Sequence, residues 1–185
     1  MIFLFSDPYI YSFENLYPLY LKLKEKNIDC CLDSEFSHQG SGISKEAKLH
    51  RGKHNLSKIR KGELPQPKLV ILNQCWWGTG LNLSKEFSSK GIPVITTEHG
   101  SPMFYYGGGH YRGNLQGGCL HPTWGKVGTE LMTKFGCKPE TVPALGSPRV
   151  DHYFSSRKIK SNKTNNAVIF GTKAEGTKPW SVSIE

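Results

Sequence analysis

The stretch that decides the fold is Ile92-Pro93-Val94-Ile95-Thr96-Thr97-Glu98-His99-Gly100-Ser101-Pro102. Its first half is an apolar run of strand-forming residues, and its second half changes abruptly to an acid, a histidine and a glycine. A buried parallel strand that ends in this way delivers polar side chains to the carboxyl edge of a sheet, where open α/β sheets bind their ligands. The stretch therefore predicts an α/β sheet with a functional loop that begins at Glu98.

The sequence on either side of this stretch alternates short apolar runs with segments of helical periodicity. Strands are predicted at 2–5, 28–32, 68–73, 92–97, 120–124 and 141–145. Helices are predicted at 14–26, 44–61 with a break at Gly52, 83–90, and 126–135 with an apolar stripe of Val127, Leu131 and Phe135. Strands that alternate with helices form parallel pairs through right-handed crossovers. We therefore expect an α/β, Rossmann-like parallel sheet of about six strands with flanking helices.

The composition changes towards the carboxyl terminus of the chain. Residues 155–166 are rich in serine, asparagine and lysine, which is typical of a linker, and Ala167-Val168-Ile169-Phe170 then reads as a new buried strand. The sequence thus predicts a Rossmann-like domain over 1–154, a linker over 155–166, and the incomplete start of a second domain over 167–185.

Composition also limits the class of protein. The 185 residues contain no apolar run of the ~18 residues that a membrane span needs, and the apolar start is followed at once by Ser6-Asp7-Pro8, unlike a signal peptide. The five cysteines form no CxxC pair, and free thiols in the cytoplasm fit them better than a disulfide framework. No metal site is expected, since histidine and cysteine never fall at ligand spacing.

The net charge is +9, and much of it lies in 45–61 and 157–163. A basic surface favours anionic partners, but no aromatic side chain is interleaved with the charges of 45–61, so nucleic acid is not expected. Two readings of 45–61 stay open. One is a solvated helix face, and the other is peripheral contact with anionic lipid at the inner face of the membrane.

The predicted catalytic residues are His99 and Glu98. A histidine at the end of a strand can act as a general base near neutral pH, and a neighbouring carboxylate raises its pKa. The alternative is a structural histidine that is bonded to the loop backbone. Ser6 and Asp7 follow the first strand and are expected at the same edge of the sheet as His99.

The segment after His99 is predicted to bind substrate. Its glycines let the backbone approach a ligand closely, and its polar side chains suit sugars or phosphates; the predicted residues are Gly100, Ser101, Gly107, Gly108, Gly109, His110 and Arg112. The spacing is not that of a dinucleotide-binding motif, and a plain surface loop is the alternative. Arg149, in Leu145-Gly146-Ser147-Pro148-Arg149-Val150-Asp151, can clamp a phosphate or carboxylate, or can pair with Asp151 in a structural turn.

These motifs, in this order, carry a family resemblance. His-Gly-Ser-Pro at 99–102, Trp-Gly at 124–125, the Gly-Ser-Pro-Arg turn at 146–149, a linker and a new strand resemble the N-terminal half of a GT-B glycosyltransferase. The most similar families are the CDP-glycerol glycerophosphotransferases and related capsule and surface-polysaccharide transferases, including Kdo transferases. Phe104 stands where the glycerophosphotransferases usually have lysine, which argues against a glycerol-phosphate substrate, so the resemblance supports Kdo or another sugar at least as well.

The resemblance implies a role for the chain in bacterial surface-polysaccharide biosynthesis. It places the catalytic histidine at His99 and makes this half of the enzyme the part that holds a glycan or lipid-linked acceptor. The nucleotide-sugar donor belongs to the C-terminal half, so the chain by itself is expected to be inactive and to need no cofactor. The alternatives are a non-catalytic module that binds an anionic glycan or lipid headgroup, and a relative of the nucleotide-sugar 2-epimerases, whose turn is matched by Gly146, Pro148 and Asp151.

Overall fold

Strands and helices alternate along the described part of the chain. The computed structural model describes residues 1–8, 10–35, 48–75, 78–97, 120–134 and 136–148. Its elements are β1 (Ile2–Ser6), α1 (Ile10–Glu25), β2 (Cys30–Ser34), α2 (His54–Lys61), β3 (Leu69–Leu72), α3 (Gly78–Ser89), β4 (Val94–Thr96), α4 (Lys126–Lys134) and a 3-10 turn (Pro139–Thr141). The predicted linker and second domain lie outside these residues.

The four strands form one parallel sheet in the order β2-β1-β3-β4. Phe5 pairs with Leu72, and Leu72 pairs with Thr96, so the carboxyl ends of β1, β3 and β4 are level. The chain leaves β1 towards one edge to form β2, and it returns past β1 towards the other edge to form β3. The strand order therefore reverses between β1 and β3, and a reversal of this kind opens a crevice at the carboxyl ends of the two strands.

Helices cover both faces of the sheet. On one face, Phe3 and Phe5 of β1 pack in a cluster with Leu56 of α2 and Phe87 of α3. On the other face, Leu4 of β1 packs in a cluster with residues of α1. Each of these buried side chains contributes about 1.5–3 kcal/mol relative to exposure. The predicted α/β class, with a parallel sheet and flanking helices, is confirmed at this level.

The described residues show four of the six predicted strands. The segments 120–124 and 141–145 make single parallel bridges, Ile95 with Leu120 and Thr123 with Ala144, and form no longer ladder. The bridges continue the parallel direction of the sheet beyond β4. Pro122 and Pro143 lie beside the bridged residues, and each lacks the backbone N–H that a ladder needs.

Several element boundaries differ from those predicted. α1 begins at Ile10 and α3 at Gly78, each several residues before the predicted start, and β2 runs from Cys30 to Ser34. The break at Gly52 is confirmed, because its φ of 109° lies in the left-handed region and α2 begins only after it. Among the described residues, no helix has both the length and the apolarity needed to cross a membrane.

The apolar stripe predicted for α4 is contradicted at Val127, while Phe135 lies outside the described residues. Val127 is 64% exposed, and the helix instead buries Gly128 and Met132. The cause is close packing at Gly128, where an added Cβ atom would lie 3.0 Å from Cβ of Thr123. The absence of a side chain at Gly128 therefore sets the buried face of α4 against the 120–123 segment.

Candidate functional site

Two of the predicted site residues lie in the described structure, and both are at the strand reversal. Ser6 ends β1 and is fully buried, and Asp7 follows it with 4% of its surface exposed. Asn73 and Gln74 follow β3 in the neighbouring position and are also buried. Ser6 and Asp7 thus lie at the carboxyl edge of the sheet, as predicted, beside the side chains that follow β3.

The other predicted residues fall outside the described residues, and their roles stay predictions. They are Glu98, His99, Gly100, Ser101, Gly107, Gly108, Gly109, His110, Arg112 and Arg149. β4 ends at Thr96, just before the first of them, and its end is level with the end of β3.

Asp7 has a strongly perturbed acidity. Burial raises its pKa to about 7, because a carboxylate loses much of its hydration there. A hydrogen bond from the Gln74 side chain favours the ionised form and offsets part of this rise, whereas the charge of Glu35 adds to it. Asp7 therefore exchanges its proton near neutral pH, which is the property that a general acid or base needs.

Glu35 joins the ends of β1 and β2 to the start of two helices. Its backbone N–H donates to the Ser6 carbonyl at 2.9 Å, and its Oε1 accepts from Thr79 Oγ1 at 2.9 Å in the first turn of α3. Lys53, just before α2, places Nζ 2.5 Å from the same Oε1. The Lys53 ammonium also lies 3.4 Å from Thr79 Oγ1.

These contacts define a switch-point cluster, which consists of Asp7, Glu35, Lys53, Gln74 and Thr79. It contains two carboxyl groups, one ammonium, one amide and one hydroxyl, brought together from the ends of β1, β2 and β3 and the starts of α2 and α3. A buried carboxyl group at a strand reversal, with an amide bonded to it and a charged group nearby, makes a candidate ligand site.

Gly80 explains how α3 reaches this position. A Cβ atom added at Gly80 would lie 2.3 Å from the Gln74 carbonyl oxygen, which is far inside van der Waals contact. Only glycine therefore lets the first turn of α3 pack directly on the chain that follows β3. The sequence did not point to Gly80, Glu35, Lys53 or Thr79 as site residues. The predicted strand 28–32 ended before Glu35, whereas β2 runs to Ser34 and places Glu35 directly after it.

A second polar contact lies at the end of β4. Thr96 Oγ1 and His121 Nδ1 are 2.6 Å apart, and both side chains are buried. The His121 backbone N–H donates to the Thr141 carbonyl at 2.7 Å, so this residue ties the 120–123 segment to two neighbours. Sequence reasoning missed His121, because a single histidine in an apolar segment gives no signal by itself.

The turn at 146–148 ends in a buried hydroxyl. Gly146 has a φ of 90°, and its backbone N–H donates to the Thr123 carbonyl at 3.1 Å. Ser147 is buried, and its Oγ has no hydrogen-bond partner in the described structure. The same holds for both polar atoms of the Asn15 side chain in α1. Buried polar side-chain atoms without a hydrogen-bond partner are uncommon in folded proteins.

The basic 45–61 segment is partly neutralised by the chain itself. Besides the Lys53 pair with Glu35, Arg60 lies 2.6 Å from Glu86 of α3, and Lys90 lies 3.0 Å from the same carboxylate. Ion pairs within the molecule reduce the charge that 45–61 can offer to an anionic membrane or glycan.

Comparison of the chain with protein-family models, with curated proteins and with solved structures finds no match. Within the described ranges, no group of three or more histidine, cysteine, aspartate or glutamate side chains is placed to hold a metal ion.

Proposed function

We propose that the chain is the acceptor-binding half of a GT-B-type transferase that builds a surface polysaccharide, and that the acceptor binds at the switch-point cluster. The observation that carries the proposal is Asp7, a buried carboxyl group with a pKa of about 7 at the strand reversal between β1 and β3. The parallel sheet with helices on both faces supports it, as does the order of the sequence motifs.

The proposed fold is the N-terminal domain of such an enzyme, with the sheet extended to about six strands. The parallel bridges at Leu120 and Ala144 support this extension, since both lie on the same side as β4 and run in the same direction. The nucleotide-sugar donor would be held by a second domain, for which 167–185 is the proposed start.

In the proposed reaction, an acceptor hydroxyl oxygen forms a bond to the anomeric carbon of the donor sugar. The bond from that carbon to the donor phosphate breaks, and its electron pair leaves with the phosphate. The hydroxyl proton passes to a base, and His99 remains the proposed base, with Glu98 beside it. Asp7 and Gln74 would hold the acceptor by hydrogen bonds to its hydroxyls.

The proposal is tested by calorimetric titration of the full chain. The ligands are UDP-, CDP- and CMP-linked sugars, and glycan acceptors with and without a phosphate group. We expect an acceptor to bind and the nucleotide sugars not to bind, and we expect His99→Ala to weaken acceptor binding.

Asp29→Asn is the matched control. Asp29 precedes the amino end of β2, whereas the switch-point cluster lies at the carboxyl ends of the strands, and the Asp29 side chain is 73% exposed. This variant should bind the acceptor like the wild type. Tight binding of a nucleotide sugar by the chain alone would overturn the proposal and would favour a self-contained nucleotide-binding protein, such as an epimerase relative.

A further inference from the structure

We infer that the switch-point cluster binds an uncharged, polyhydroxylated sugar unit and disfavours a phosphate group. This inference rests on the proposed function, because it names the chemical class of acceptor for the same site. It follows from the ion pair and the hydrogen bond that Lys53 and Glu35 already make within the protein.

The cation of the cluster is already paired within the protein. Lys53 is the side chain that would attract a phosphate, but its ammonium is paired with Glu35 Oε1 at 2.5 Å and lies 3.4 Å from Thr79 Oγ1. A phosphate would have to separate this pair and would then lie beside the Glu35 carboxylate. Bringing like charges together in a partly buried site is unfavourable.

The start of α3 already has a carboxylate of the protein beside it. The N-terminus of a helix attracts anions, because unpaired backbone N–H groups and the helix dipole both favour negative charge there. In this protein the Glu35 carboxylate accepts a hydrogen bond from Thr79 in the first turn, at 2.9 Å. The Glu35 carboxylate therefore lies beside the first turn of α3, where its charge would repel a ligand phosphate.

Two side chains of the cluster, Asp7 and Gln74, suit a sugar. Carboxylates accept strong, charge-assisted hydrogen bonds from hydroxyl groups, and an acidic side chain at the carboxyl edge of a parallel sheet is a common partner for sugar hydroxyls. Asp7 supplies such a carboxyl group, and the Gln74 amide beside it can donate as well as accept. A carboxyl group that accepts hydrogen bonds, beside an amide that both donates and accepts them, matches a sugar with hydroxyl groups on adjacent carbon atoms.

The inference predicts a change of specificity in one variant. Glu35→Gln removes the negative charge, releases Lys53 and leaves the start of α3 open to an anion. We expect this variant to gain affinity for inorganic phosphate, which the wild type should not bind measurably. Asp7→Asn should weaken the binding of an uncharged sugar about tenfold, since a hydrogen bond to a charged group is lost.

The test is an NMR titration of the ¹⁵N-labelled full chain, followed at the amides of Gln74 and Thr79. The probes are the methyl glycosides of glucose, galactose and N-acetylglucosamine, glucose 6-phosphate and inorganic phosphate, each at millimolar concentration. The proteins are the wild type, Asp7→Asn, Glu35→Gln and the control Asp29→Asn. We expect at least one methyl glycoside to shift the two amides in the wild type and in the control, and neither phosphate probe to do so.

The inference is overturned if glucose 6-phosphate shifts these amides of the wild type at lower concentration than the glycosides do, or if no glycoside shifts them. It is also overturned if Glu35→Gln gains no affinity for inorganic phosphate. A separate measurement tests the proposed function, namely addition of a UDP-sugar to the same wild-type sample. Tight binding of the UDP-sugar would contradict an acceptor domain. This outcome does not depend on which of the other probes binds.

Discussion

Asp7 is a carboxyl group that the fold keeps almost entirely from water, and this has a consequence for stability. Its pKa is about 7 in the folded chain against an ordinary value of 3.8, so between these pH values the folded state holds a proton that the unfolded state has released. Stability therefore falls as the pH rises from about 4 to about 7, and then stays at the lower level.

Asp7→Asn should remove this loss, because the asparagine amide carries no charge at any of these pH values. We expect the variant to be more stable than the wild type by roughly 2–4 kcal/mol at pH 8 and nearly equal to it at pH 4. Urea denaturation at the two pH values measures the difference. An equal effect at both would show that Asp7 has an ordinary pKa.

At the scale of elements, α2 is fixed to the sheet by a carboxylate that it does not itself contain. Lys53 at its N-cap position makes no side-chain cap, and Asp33 of β2 takes that role from the neighbouring strand. The buried Asp33 carboxylate accepts from the backbone N–H of Leu56 at 2.8 Å, and from the backbone and side-chain nitrogens of Asn55 at 3.2 and 2.7 Å.

Asp33→Ala should therefore leave buried helix N–H groups without a partner. We expect a loss of about 2–4 kcal/mol in the free energy of unfolding, from the lost cap and the desolvated donors together. Urea denaturation measures it, with Asp29→Ala as the exposed control. A loss as small as that of the control would contradict the assigned cap.

Gly80 fixes the position of α3 by close contact rather than by a hydrogen bond. In Gly80→Ala the new methyl group would meet the Gln74 carbonyl oxygen at 2.3 Å, so backbone must move. We expect a loss of about 1–3 kcal/mol, although alanine has the higher helix propensity. Gly125→Ala is the matched control, because an added Cβ atom there has no neighbour within 4 Å in the described structure.

At the scale of the whole molecule, local sequence predicted the sheet well and the site only in part. The short, continuous apolar runs of β1 and β3 can be buried only as inner strands, and Asp7 was predicted at the edge because it directly follows one of them. The contacts that join Glu35, Lys53 and Thr79 depend on strand order and register, which no local sequence pattern encodes. Pro122 and Pro143 were available as signals that the last two predicted strands would not form ladders.

The strand reversal between β1 and β3 is proposed above as a sugar-binding site with Asp7 as its titrating group. The most direct test is a ¹³C NMR titration of the Asp7 side-chain carboxyl, with and without the methyl glycoside that binds. We expect a midpoint near pH 7 in the free chain, and a lower midpoint with the sugar, whose hydroxyls favour the carboxylate. A midpoint near 4 in the free chain, or one that the sugar leaves unchanged, would contradict it.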